Sequence, residues 1–269
     1  MTSLQRNACN AALIGLGLVA ASGAYAQVST INSAIVEPRV FNDVSNAVFT
    51  GVNNYPTTIS FTETGVGGTT LTSGFANRDV WQFSNNGGTS AYQFQNGNYF
   101  MASFNLNLTG TPITPRKEAG FLFSTVNDGD IQFIVNTDGH EVVQFGGISF
   151  YSFSAANIVH YNSGDTINLG MRYFMDGNGD NALQFFANGN ASPVFDFTSG
   201  VGSGALDIGN GSTLGGYFQI VNDPANPSNG GSAVFGNITI TAAPEPSTLT
   251  FLGLGIVTLA GVVLRRRRM

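Results

Sequence analysis

The chain has 269 residues, 42% of them hydrophobic and only 10% charged, with 35 glycines and a formal net charge of −6. Its one cysteine, Cys9, lies at the amino-terminal end, so the rest of the chain has no disulfide, no Cys-ligated metal and no cysteine nucleophile. Five of the ten basic residues are Arg6 and Arg265 to Arg268; between Gln27 and Ala243 five basic residues stand against 15 acidic ones, a net of −10 that repels nucleic acid and anionic lipid.

Residues 1–26 read as a targeting segment. Arg6 supplies a positive start, and the apolar run from Ala11 to Ala21 is too short to span a bilayer. It leads to Ala24-Tyr25-Ala26 before Gln27, the small-residue pattern of a signal cleaved after Ala26, and implies export through the Sec translocon. A buried N-terminal helix would need a polar face, but Asn10 and Ser22 stand only at the edges of the run. Cys9 precedes the apolar stretch, which argues against a lipid-modified cysteine.

Residues 27–243 form one domain-sized stretch without a helical apolar stripe. Alternation predicts a half-buried strand over Thr166–Met175, with Ile167, Leu169, Met171, Tyr173 and Met175 on one face. Further strands are predicted at Phe121–Val126, Ile131–Val135, Val142–Phe145, Ile148–Phe153, Leu183–Ala187, Tyr217–Val221 and Ala233–Thr241. Asn127-Asp128-Gly129 and Thr137-Asp138-Gly139 supply turns between the first three of these, since Asp-Gly suits positive φ. No fixed repeat period favours a solenoid. The expected fold is all-β, an antiparallel two-sheet sandwich flanked by an N-terminal signal helix and a C-terminal transmembrane helix. The strand pattern of Tyr161 to Gly189 resembles the concanavalin-like jelly rolls of secreted proteins.

Candidate chemistry is sparse. Asp176-Gly177-Asn178-Gly179-Asp180 opens like a calcium loop, but Asn181 stands where Gly belongs and Ala187 where a bidentate Glu belongs, so a hairpin turn is the simpler reading. No metal or cofactor is expected. His140 and His160 sit beside turn residues, and no G-x-S-x-G elbow accompanies them. Asp128 and Asp130 flank a glycine turn and Glu141 stands alone, which gives no paired carboxylates for glycoside chemistry. In Ile148–Phe153 aromatic rings fall on both faces, making Tyr151 and Phe153 candidates for stacking on a sugar ring.

The C-terminal end is the most specific part of the sequence. Leu249 to Leu264 is sixteen residues without a charge, about 24 Å as a helix, and Arg265, Arg266, Arg267 and Arg268 would hold its end in the cytoplasm. Upstream, Pro244 and Pro246 forbid a continuous helix or a paired strand around Glu245. Residues 244–269 resemble the PEP-CTERM sorting signal of Gram-negative bacteria, with Pro244, Glu245 and Pro246 matching the recognition motif, Leu249 to Leu264 the membrane segment and Arg265 to Arg268 the basic terminus. The resemblance implies transient anchoring in the inner membrane, processing by an exosortase, and transfer to the surface of cells that make exopolysaccharide and biofilm matrix. The acidic, thiol-free sandwich between the two ends points to a non-catalytic surface or matrix protein. A lectin-like module for exopolysaccharide is the alternative, and a polysaccharide-active enzyme would require a clustered pair of buried acids.

Overall fold

The computed structural model describes residues 28, 30–44, 46–67, 76–196 and 204–243. The signal segment with Ala24, Ala26 and Gln27, the tripeptide Pro244-Glu245-Pro246 and everything after it, including Arg265 to Arg268, lie outside the described residues.

Fifteen strands build two antiparallel sheets. The first half supplies β1 (Ser33–Glu37), β2 (Val48–Asn54), β3 (Thr58–Thr64), β4 (Ala76–Ser84), β5 (Phe94–Gln95) and β6 (Phe100–Thr111). The centre supplies β7 (Lys117–Thr125), β8 (Gly129–Asn136), β9 (Val142–Gly146) and β10 (Tyr151–Ser152). The remainder are β11 (Thr166–Met175), β12 (Asn181–Ala187), β13 (Asn190–Ala191), β14 (Asn210–Val221) and β15 (Gly230–Ala242). One sheet runs β1-β4-β14-β7-β8-β9-β10, with β5 on β14; the other runs β13-β12-β11-β6-β15-β3-β2. The expected two-sheet sandwich is therefore the observed fold.

Period-two alternation sets the layers. In β6, Phe100, Ala102, Phe104, Leu106 and Leu108 are all buried, while Met101, Ser103, Asn105 and Asn107 between them are half-buried. They meet Trp81 and Phe83 of β4, Phe121 and Phe123 of β7 and Phe218 of β14 in one core cluster between the sheets. The rings interlock: Phe104 lies 4.2 Å from Phe121, centroid to centroid, and Trp81 meets Phe83 edge-on at 5.1 Å.

Strand β11 occupies the predicted Thr166–Met175. The predicted strand at Ile148–Phe153 shrinks to Tyr151–Ser152, because Ile148 turns into the core and only two residues pair with β9. Gly129 takes positive φ (75°) in the β7–β8 turn as the Asp-Gly rule requires. In the next turn the left-handed residue is His140 (φ 54°), one step after the expected glycine.

Candidate functional site

The two sheets differ in what they turn outward. The outer face of the seven-stranded sheet is an ordinary solvated one, lined by Ser60, Thr62, Ser103, Asn105, Asn107 and Asn168 at half-exposed or exposed positions. On the eight-stranded sheet, β7 is buried on both faces, and Val80, Leu122, Ile134, Val143 and Tyr217 form a second apolar cluster separate from the main core, with Phe145 packed against it. All five are buried, so this sheet, unlike the other, encloses an apolar layer on its outer side.

Strand register arranges this face in rows. Arg78 of β4, Gln219 of β14, Glu118 of β7 and Asn136 of β8 lie side by side, about 14 Å from end to end at the usual strand spacing. The next row is Val80, Tyr217, Gly120, Ile134 and Val143, and the one after it Gln82, Gly215, Leu122, Gln132 and Phe145. Gly120 and Gly215 are obligatory: a Cβ at the first would fall on the Phe133 carbonyl oxygen, and at the second on that of Trp81.

The polar row is one connected network. Arg78 Nε donates to Gln219 Oε1 (2.8 Å), Gln219 Nε2 donates to Glu118 Oε1 (3.0 Å), and Tyr217 OH donates to the same carboxylate oxygen (3.2 Å). The Arg78 guanidinium sits 5.1 Å from the ring centroids of both Phe41 and Tyr217, a double cation–π contact. Burial pushes the Glu118 carboxyl up, opposed by the Tyr217 hydrogen bond and by Arg116 and Arg78. The Tyr217 hydroxyl is pushed well up by burial and by the Glu118 charge. Beside the row, Arg116 bridges Asp138 and Glu141 at 3.1 Å each, and Asn136 Nδ2 donates to Glu141. Within this row Arg78 is half-buried and meets the exposed Phe41 ring, so that end can offer a guanidinium and a ring face to a polyol, while the buried Gln219, Glu118 and Tyr217 hold it in place.

The residues singled out in the sequence fall elsewhere. Phe153 is not available to a sugar: it is fully buried in the core, 5.7 Å from Phe133 and 5.0 Å from Tyr151. Tyr151 is half-buried against it, and the exposed ring of that segment is Phe150, with 66% of its surface open. Glu141 does not stand alone, since Arg116 and Asn136 both reach it. Asp128 accepts from the Asp207 backbone N–H (2.7 Å), while Asp130 is exposed in the turn. Asp176 Oδ1 accepts the backbone N–H groups of Asn178 (2.8 Å) and Asp180 (2.9 Å), the bonding of a hairpin turn. His140 and His160 are exposed, facing the Tyr161 carbonyl and the Asn157 side chain at 3.2 Å.

A clustered pair of buried acids does exist, at Glu63 and Asp79. Arg39 joins them, its Nε donating to Glu63 Oε1 (3.1 Å) and its backbone N–H to Asp79 Oδ1 (3.0 Å), while Asn77 Nδ2 donates to Glu63 (3.3 Å). Both carboxylates have no exposed surface and lie between the sheets, so the pair is closed to a polymer. Nothing in the spacing of residues 39, 63 and 79 signals this cluster; it arises where β3 and β4, strands of opposite sheets, face each other.

With the geometry in place, the ends of the chain can be compared with known proteins. Residues 242–268 match the PEP-CTERM protein-sorting motif. The match starts at Ala242, the last residue of β15, two residues before the expected boundary at Pro244. The motif marks an exported chain, anchored in a membrane and then sorted to the surface, and implies processing by an exosortase. No curated protein sequence matches the chain. Among solved structures, the alginate lyase from Corynebacterium sp. is 14% identical over 80% of this chain and 96% of that one, with a TM-score of 0.53. The carbohydrate-binding module CBM66 from Bacillus subtilis is 8% identical over 78% and 98% (TM-score 0.42), and the Emp47p carbohydrate recognition domain 13% identical over 83% and 97% (TM-score 0.41). At 14% identity the likeness to the alginate lyase is one of fold alone, a jelly-roll-like β-sandwich.

Proposed function

We propose that the protein is an exported, non-catalytic component of the cell surface or extracellular matrix, and that its body holds exopolysaccharide on the outer face of the eight-stranded sheet. The observation that carries this reading is the half-buried Arg78 beside the exposed Phe41 ring, a guanidinium and a ring face fixed in place by the buried chain Gln219–Glu118–Tyr217. The non-catalytic part is supported by the state of the face's central acid. Glu118 is held by two donors, and neither His140 nor His160 is on this face to act as its partner.

The test is affinity electrophoresis of the protein through gels containing the producer's own exopolysaccharide, run beside an assay for newly released sugar ends. Retardation that is lost in Arg78→Ala and Gln219→Ala, with no new ends, is the expected result. Undiminished retardation in both variants would move the site elsewhere, and new ends formed by the wild type but not by Glu118→Gln would make the protein an enzyme.

A further inference from the structure

The sandwich has two chemically different poles, and the tail leaves from one of them. Ala243, the last described residue, is buried and donates its N–H to the Tyr99 carbonyl (3.1 Å), so the fold runs without slack up to Pro244. The apolar segment begins at Leu249, six peptide steps on, which cover at most about 22 Å. This pole also carries the start of the described chain, where the Asn32 N–H bonds the Ser84 carbonyl.

Strand direction gathers residues 126–128, 176–180 and 204–209 at this pole, together with the segment between β5 and β6. Asp207 ties them, accepting from Asn96 and Asn127, while its own N–H donates to Asp128. The pole presents Asp128, Asp130, Asp176, Asp180 and Asp207, and these segments contain no lysine or arginine. Hydrogen bonds hold the Asp176 and Asp207 carboxyls below the usual carboxylate range, which keeps both charged. Arg39, Arg78, Arg116 and Lys117 are all at the opposite pole, where Arg39 and Arg116 pair with Asp43, Glu63, Asp138 and Glu141. The remaining cation of the body, Arg172, lies on the outer face of β11 over the Phe174 ring, in register with Met101 and Thr241 near the tail-bearing end, where it stands against the five aspartates.

We infer that, while its tail is anchored, the sandwich stands upright with its acidic pole toward the bilayer, held off anionic headgroups by charge and directing the Arg78–Glu118 row outward. The inference rests on the sorting motif as a membrane anchor. Repulsion between the pole and anionic lipid acts over about 8 Å at physiological salt, well inside the span of at most about 22 Å that six peptide steps can cover. On neutral lipid the same body is free to settle.

The single tryptophan, Trp81, makes the height measurable, because it lies three residues, about 10 Å, from the end of β4 at this pole. The full chain is placed in vesicles of neutral phosphatidylcholine, or of that lipid with anionic phosphatidylglycerol, each carrying a dansyl headgroup acceptor. Energy transfer from Trp81 is expected to be about twofold lower on anionic vesicles at low salt, and equal on both in 0.5 M salt. Asp130→Lys with Asp180→Lys should restore transfer on anionic vesicles to the neutral level. Equal or higher transfer on anionic lipid, or no response to charge reversal in a variant that keeps the near-ultraviolet signal of Trp81, would overturn the inference. Co-flotation reads the anchor separately: protein that floats with neither kind of vesicle would refute the sorting reading instead.

Discussion

Asp79 offers the most exacting test of the fold's energetics. Its carboxylate is enclosed between the sheets; Oδ1 accepts the Arg39 N–H and Oδ2 has no hydrogen-bond partner. Burial, reinforced by the charge of Glu63, pushes the carboxyl up from 3.8 to about 7. A carboxyl raised in the folded state keeps its proton there while the unfolded chain loses it, so its contribution is fully present below pH ~4 and is lost as pH rises through ~7. At 1.36 kcal/mol per unit the shift is worth about 4 kcal/mol. Asp79→Asn removes the titration. In urea unfolding followed from pH 4 to pH 8, the stability of wild type minus that of Asp79→Asn should therefore fall by about 4 kcal/mol, with most of the change complete by pH 7.5. Taking the difference cancels Glu118, which titrates in both proteins, while Glu63, whose charge raises Asp79, is coupled to it, so the difference reads the titration of the pair. A difference that stays flat across this range would refute the assignment of a buried, proton-holding Asp79.

Lys117 gives the opposite sign at higher pH. Burial lowers its ammonium to about 8 although Nζ donates to the Pro112 (2.6 Å) and Pro115 (2.8 Å) carbonyls, so the stability of wild type minus that of Lys117→Met should rise between pH 8 and pH 10.5, the difference cancelling the buried tyrosines that titrate in both. Phe153→Ala should cost about 3–5 kcal/mol in urea unfolding, whereas Phe150→Ala, at an exposed ring, should stay within about 0.5 kcal/mol of wild type. Gly215→Ala should lower the unfolding midpoint by the equivalent of about 1–3 kcal/mol, since its Cβ needs space taken by the Trp81 carbonyl; a neutral outcome would mean that β4 and β14 are farther apart than described.

What the sequence discloses depends on how each strand is buried. β11 is read to the residue because one of its faces is core and the other is half-open, so polarity alternates along it. β4 and the first half of β7 escape because both faces are buried: Val80 and Trp81 are adjacent and equally enclosed, and Lys117–Leu122 is buried without a break, so β7 is read only from Phe121 onward. β2 escapes for the reverse reason, being an edge strand with Val48, Thr50, Val52 and Asn54 all exposed. The tail was legible because three physical requirements fall in a row along 26 residues. The outer-face network was not, because residues 78, 118, 136 and 219 become neighbours only through register, and Glu118 reads as an isolated acid until Tyr217 and Gln219 are placed beside it.

The position of the last strands bears on when the body can fold. β14 and β15 are the last of the described strands, yet neither is at an edge: β14 lies between β4 and β7, and β15 between β6 and β3. Without those segments each sheet is split into two halves with bare strand edges facing one another. Sheet closure thus waits for the C-terminus and joins partners as distant in sequence as Ile59 and Phe235, the slow kind of pairing. Because β15 runs straight into the sorting motif, the step that completes the sandwich and the step that seats the anchor draw on adjacent residues, and a chain cut short before residue 230 has no route to the native core.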